Sequence, residues 1–186
     1  MERHALAFRI KPGAGPEVTR LLSNYSVSQL EADDSTRLPG PAVFIKDDLV
    51  VLIMEAEATT LLLHRGSPDE GTGTRHALYY PIRPGRADIA ARVLTEGGDP
   101  PVRSGGTTLC STSIFRQGDT IVRVFEIDGS IEELLEGLAD SVEVHKVGRG
   151  MADLFEGPYD FTTAEGLRKF FHDNLMTTIT DRRADQ

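Results

Sequence analysis

Five histidines (His4, His64, His76, His145 and His172) are the side chains whose ordinary titration, near ~6.5, suits proton transfer at neutral pH. They have no metal-ligand spacing. No H-E-x-x-H helix is present, and the single Cys110 excludes an internal disulfide and a multi-cysteine site, so no metal is expected. Glu55 and Glu126 occupy matching places in a duplicated stretch. They read either as structural acceptors for nearby backbone or, in the case of Glu55 with His64, as a base and its orienter. Arg123 interrupts an apolar run, which is either an edge position with the guanidinium in solvent or a functional one. Dinucleotide, P-loop and nucleophile-elbow motifs are all absent. Few ionisable groups and several aromatics remain, a set that suits a pocket for a flat aromatic ligand.

The elements that must position these residues come from an internal repeat. Residues 3–13 read R-H-A-L-A-F-R-I-K-P-G and residues 75–85 read R-H-A-L-Y-Y-P-I-R-P-G. Thr36 to Glu57 then aligns with Thr107 to Asp128, matching Phe44 with Phe115, Asp48 with Asp119, Val51 with Val122 and Glu55 with Glu126. A fixed repeat outranks local pattern in deciding the fold.

Each copy reads strand, helix, strand, strand, helix, with a fourth strand clear only in the second. In copy one the strand is His4–Ile10, the helix Pro16–Tyr25, and the hairpin Ala42–Lys46 with Leu49–Glu57 turns at Asp47-Asp48. Ser26–Gly40 reads as a loop and Thr59–His64 as a short second helix. Copy two gives strands 76–82, 107–116 and 120–127, with a helix at 87–96. Ser130 caps a further helix, with Glu133 at the capping-box position. Val142–Val147 reads as a fourth strand, Thr162 or Thr163 caps a terminal helix, and Thr180–Gln186 reads as a frayed tail. The expected fold class is α+β, with tandem ferredoxin-like repeats whose sheets cover each other as an intramolecular barrel. The expected domains are 1–70, a shortened first repeat without its last strand, 75–160, the second repeat, and a C-terminal helix at 161–180, all forming one compact unit.

Net charge is −9, which argues against a nucleic-acid footprint. No apolar run approaches the roughly 20 residues of a membrane helix, and no signal peptide is read, so a cytoplasmic protein without membrane contact is expected. The fused repeat leaves monomer and homodimer both open.

The H-A-L-x-x-x-I-[KR]-P-G pattern, the stretch S-x-F-R-x-G-D-T-x-V-R-x-F-E-I-D-G from Ser113 to Gly129, and T-T-A-E-G-L-R-K-F-F near the end resemble the SchA/CurD-like proteins of aromatic polyketide and spore-pigment biosynthesis. That family is related in fold to the antibiotic biosynthesis monooxygenases, whose dimeric α+β barrel this chain would build internally. The resemblance implies oxygenation of a phenolic or anthrone-type ring to a quinone by O₂, without flavin, haem or metal. Ring cyclisation by a cyclase or aromatase is the alternative, and a non-catalytic polyketide-binding accessory is a third. In this frame His64 and His76 are candidate bases and Arg123 stabilises the anion, while Tyr79, Tyr80, Phe125, Glu55 and His145 bind substrate. Leu52 stands where copy one would match Arg123, so copy two is the expected pocket wall.

Overall fold

The computed structural model describes residues 2–23, 41–56, 62–65, 73–97 and 103–181. The chain divides into two compact units, Met1–Thr60 with Met176–Gln186, and Leu61–Leu175. The fold is α+β, with one antiparallel sheet in each unit.

In the first unit, alternation puts β1 at Glu2–Arg9, and α1 follows at Gly15–Ser23. β2 (Ala42–Lys46) and β3 (Leu49–Ala56) form the hairpin. Its turn requires a left-handed residue, Asp47 at φ 52°. β3 lies between β1 and β2 and antiparallel to both, the split arrangement of a ferredoxin-like unit. The fourth strand of this sheet is β9 (Thr177–Asp181), paired with β2. The expected frayed tail is therefore wrong for Thr180 and Asp181, because β2 has an open edge whose backbone groups they satisfy. Residues 182–186 lie outside the described residues.

The second unit repeats the plan. β5 (Thr74–Tyr80), α2 (Ala87–Glu96), β7 (Thr107–Gln117) and β8 (Thr120–Asp128) form its split unit, with a two-residue β6 (Arg103–Ser104) beside β7. Its hairpin turns at Gly118, φ 59°, the repeat position of Asp47. The outer strand beside β7 is β4 (Leu62–Arg65). This corrects two expectations: residues 62–64 are strand rather than helix, and the last strand of copy one exists. Each sheet thus takes its fourth strand from the chain that follows the other repeat. Residues 57–61, and the stretch 26–40 expected as a loop, lie outside the described residues.

One face of the second sheet carries α2, α3 (Ile131–Asp140), α4 (Val142–Met151) and α5 (Ala164–Asn174), packed on Leu78, Ile121, Phe125 and Ile127. Ser130 caps α3 as expected, but Glu133 turns instead to the Gly106 amide and the Thr107 hydroxyl. Thr163 caps α5. Val142–Val147 is helical, against the strand expectation. Ser141 caps this segment through the Val144 amide, and Val144, Val147 and Met151 share the face turned to the core. Burial at helical spacing overrides the weak β preference of three valines.

Candidate active site

The helices stand off the sheet enough to leave a small cavity that opens to solvent at one end. Its floor is Tyr80 on β5 and Arg123 on β8. Leu94 and Gly97 of α2, Val144, Val147, Gly148 and Met151 of α4, and Leu167, Phe170 and Phe171 of α5 form the walls. Glu143, exposed at the start of α4, also lines it.

Phe155 is placed by the chain end of β5. The Arg83 amide donates to the Leu154 carbonyl at 2.8 Å, and the Arg83 Nε donates to the Phe155 carbonyl at 2.8 Å. Phe161 is placed by α4, since the His145 Nδ1 lies 2.9 Å from its carbonyl, which can only accept. Phe155, Phe161 and Phe170 then pack with ring centres 4.9 to 5.3 Å apart, and the Tyr80 ring lies 5.8 Å from that of Phe170. These tilted and edge-on contacts are worth about 0.5–1.5 kcal/mol each beyond simple burial.

Arg123 is an interior residue, not an edge one. β8 is flanked by β5 and β7, and Arg123 is only 8% exposed. Its Nε donates to the Thr112 hydroxyl at 2.9 Å and its guanidinium carbon lies 5.6 Å from the centre of the Phe125 ring. Burial pushes the Tyr80 hydroxyl above the ordinary tyrosine range, while the charge and hydrogen bond of Arg123 pull it back. Removing a cation from water costs several kcal/mol, so a guanidinium at the floor of an apolar cavity marks a candidate functional position.

The other sequence candidates scatter. His76 lies on the helix-bearing face but does not line the cavity; its Nε2 is 3.1 Å from the Thr74 hydroxyl. Tyr79 points to the opposite face from Tyr80, as strand alternation requires. Phe125 lies under Arg123, and His145 supports Phe161 from α4, not from a strand. Glu55 and His64 sit on β3 and β4, with side chains outside the described residues. Glu126 is on the face away from the cavity, where its carboxylate accepts from the Ser111 hydroxyl at 2.8 Å. Phe155, Phe161, Met151 and Thr112 carry no sequence signal as site residues. Among the described residues no group of His, Cys, Asp and Glu is arranged to hold a metal, and no helix is long and apolar enough to cross a membrane.

Residues 1–65 and 74–183 match the model of the SchA/CurD like domain. The chain belongs to the SchA/CurD-like domain family. Its relatives include the polyketide synthase CurD of Streptomyces cyaneus, 26% identical over 99% of this chain and 64% of the relative. A 42.8 kDa protein of the whiE locus in Streptomyces coelicolor is 26% identical over 98% of this chain and 59% of its own length. SchA of Streptomyces halstedii is 25% identical over 70% and 47%. The chain thus spans less than two thirds of the length of the curated relatives it matches. Its fold is similar to the crystal structure of a monooxygenase candidate from Fusobacterium nucleatum, with a TM-score of 0.50 and 10% identity over 97% of this chain and 93% of that one. At that identity the likeness concerns the fold alone.

Proposed function

We propose that this SchA/CurD-like domain oxidises a phenolic, anthrone-type polycyclic intermediate of aromatic polyketide biosynthesis with O₂, without a cofactor. The observation that carries the reading is Arg123 beside Tyr80 on the floor of an aromatic-walled cavity. Flat rings fit the phenylalanine walls, and a guanidinium at the floor favours the ionised form of a bound phenol or enol. Tyr80, kept neutral by burial, serves as a hydrogen-bond partner for the same oxygen.

The reaction balances without a protein redox group. The bound anthrone methylene loses a proton, and the delocalised anion passes one electron to O₂. The carbon radical and superoxide then combine to a peroxide, which loses water to leave the carbonyl. One CH₂ and one O₂ thus become one C=O and one H₂O. Arg123 stabilises the anion in the rate-setting proton loss. The methylene proton leaves to water at the mouth; the Glu143 carboxylate there, held below its ordinary range by its own amide and the Ser141 hydroxyl, stays ionised and is a weak base.

The test is oxygen uptake by purified, chelator-treated protein on a dihydroxyanthrone. Uptake with a quinone product supports the reading. A ring-closed product formed anaerobically from an unclosed polyketide replaces it with the cyclase reading. Tight binding with no turnover replaces it with an accessory role, a reading favoured by the lack of a histidine among the described residues that line the cavity.

A further inference from the structure

Arg123 is oriented by a residue that does not itself line the cavity. We propose that Thr112 is the positioning residue of the Arg123 guanidinium, and that a β-bulge at Cys110 delivers it to that place. The inference rests on the reading of the cavity as a phenolate site.

Leu109 pairs with Ile127 and shares its helix-bearing face. Unbroken alternation from Leu109 would bring Ser111 and Ser113 to that face and turn Thr112 away. The register shifts between Leu109 and Ser111, so that Ser111 pairs with Glu126 on the far side and Thr112 pairs with Phe125 on the helix side. Cys110 is the extra residue, and re-aiming a side chain is what a bulge beside a site does.

Thr112 is 1% exposed, and its hydroxyl accepts the Arg123 Nε–H at 2.9 Å. The Phe125 ring takes the guanidinium at 5.6 Å. A planar guanidinium held by its Nε and stacked near a ring has little freedom left to rotate or tilt. With Nε committed to Thr112, the Nη edge serves Tyr80, whose hydroxyl hydrogen-bonds Arg123, and a ligand oxygen beside it. The repeat carries the same coupling. At the repeat offset Thr112 corresponds to Pro41 and Arg123 to Leu52, so copy one lacks both members.

The experiment titrates a hydroxyanthraquinone dye, bound to the protein, across its own ionisation, following its absorbance. The wild type is expected to bind the dye and lower its apparent pKa. Thr112→Val keeps the shape and removes the acceptor. It is expected to weaken binding of the anion about tenfold and to return the bound dye's pKa by about one pH unit, the equivalent change. Thr112→Ser keeps the hydroxyl and should stay within about twofold of wild type on both readings. A Thr112→Val protein equal to wild type, while Arg123→Met loses the dye, overturns this inference and leaves the cavity reading intact. A Thr112→Ser protein as impaired as Thr112→Val also overturns it. A wild type that does not bind the dye removes the cavity reading and this inference with it. Should Thr112→Val not fold, Thr112→Ala removes the same acceptor without a buried methyl in its place and is read by the same outcomes.

Discussion

Arg75 and Glu126 are direct cross-strand partners on β5 and β8, and their repeat equivalents Arg3 and Glu55 hold the same relation on β1 and β3. Both Arg75 and Glu126 are buried, on the face away from the cavity. The matching glutamates, which could be read as catalytic, are thus members of a duplicated Arg–Glu register position.

Glu126→Ala leaves Arg75 buried without the opposing carboxylate and takes away the acceptor of Ser111. Removing one member of a buried pair of opposite charges costs about 3–5 kcal/mol. Ser111→Ala should cost only about 1 kcal/mol. Urea unfolding at neutral pH measures both, and a loss below that of Ser111→Ala would sink the pairing account.

Arg123→Met should lower kcat/KM for anthrone oxidation by about 10²- to 10³-fold, the range seen when a preorganised anion-stabilising donor is removed. Folding should survive, since an apolar chain of similar length replaces a buried cation. Arg123→Lys should not restore activity, because an ammonium cannot reproduce the planar fork that Thr112 and Phe125 hold. Steady-state oxygen uptake with a parallel thermal melt separates the two effects.

Tyr80 predicts an alkaline limb to stability. Its folded-state pKa is raised by burial, so above the ordinary tyrosine value of about 10 the unfolded chain loses this proton first. The unfolded state then binds fewer protons than the folded one, and stability falls as pH rises through that window. The contribution is complete below about pH 10. Tyr80→Phe should flatten this fall, measured by unfolding at neutral pH and above pH 10; an unchanged slope would falsify it.

The two glycines of α4 should respond in opposite directions. A Cβ on Gly148 would lie 2.8 Å from the Phe161 ring, whereas one on Gly150 meets nothing closer than the Val93 Cγ1 at 3.7 Å. Gly150→Ala should stabilise by about 0.5–1 kcal/mol through helix propensity. Gly148→Ala gains the same propensity but overpacks the cavity wall, at a cost of about 1–3 kcal/mol, and should weaken ligand binding. Thermal melts and dye titration on the two variants decide it.

The repeat and its local consequences are legible in the chain alone. Matching residues took matching conformations, as with Asp47 and Gly118, both left-handed at their hairpin turns. Alternation places Arg123 and Phe125 on one face of β8 and Glu126 on the other, because period two is a local property of the backbone. Tertiary structure decided the rest. Alternation says that a strand has two faces but not which edge it joins, so β4 and β9 could not be assigned to β7 and β2 from their own residues. Val142–Val147 became a helix because Ser141, the His145–Phe161 contact and burial of Val144 and Val147 outweigh local preference. The bulge at Cys110 reversed the faces of β7, which no propensity announces, and only that reversal brings Thr112 to Arg123. The local chain thus specified the surfaces, while pairing between residues far apart in sequence chose which of them would share the cavity.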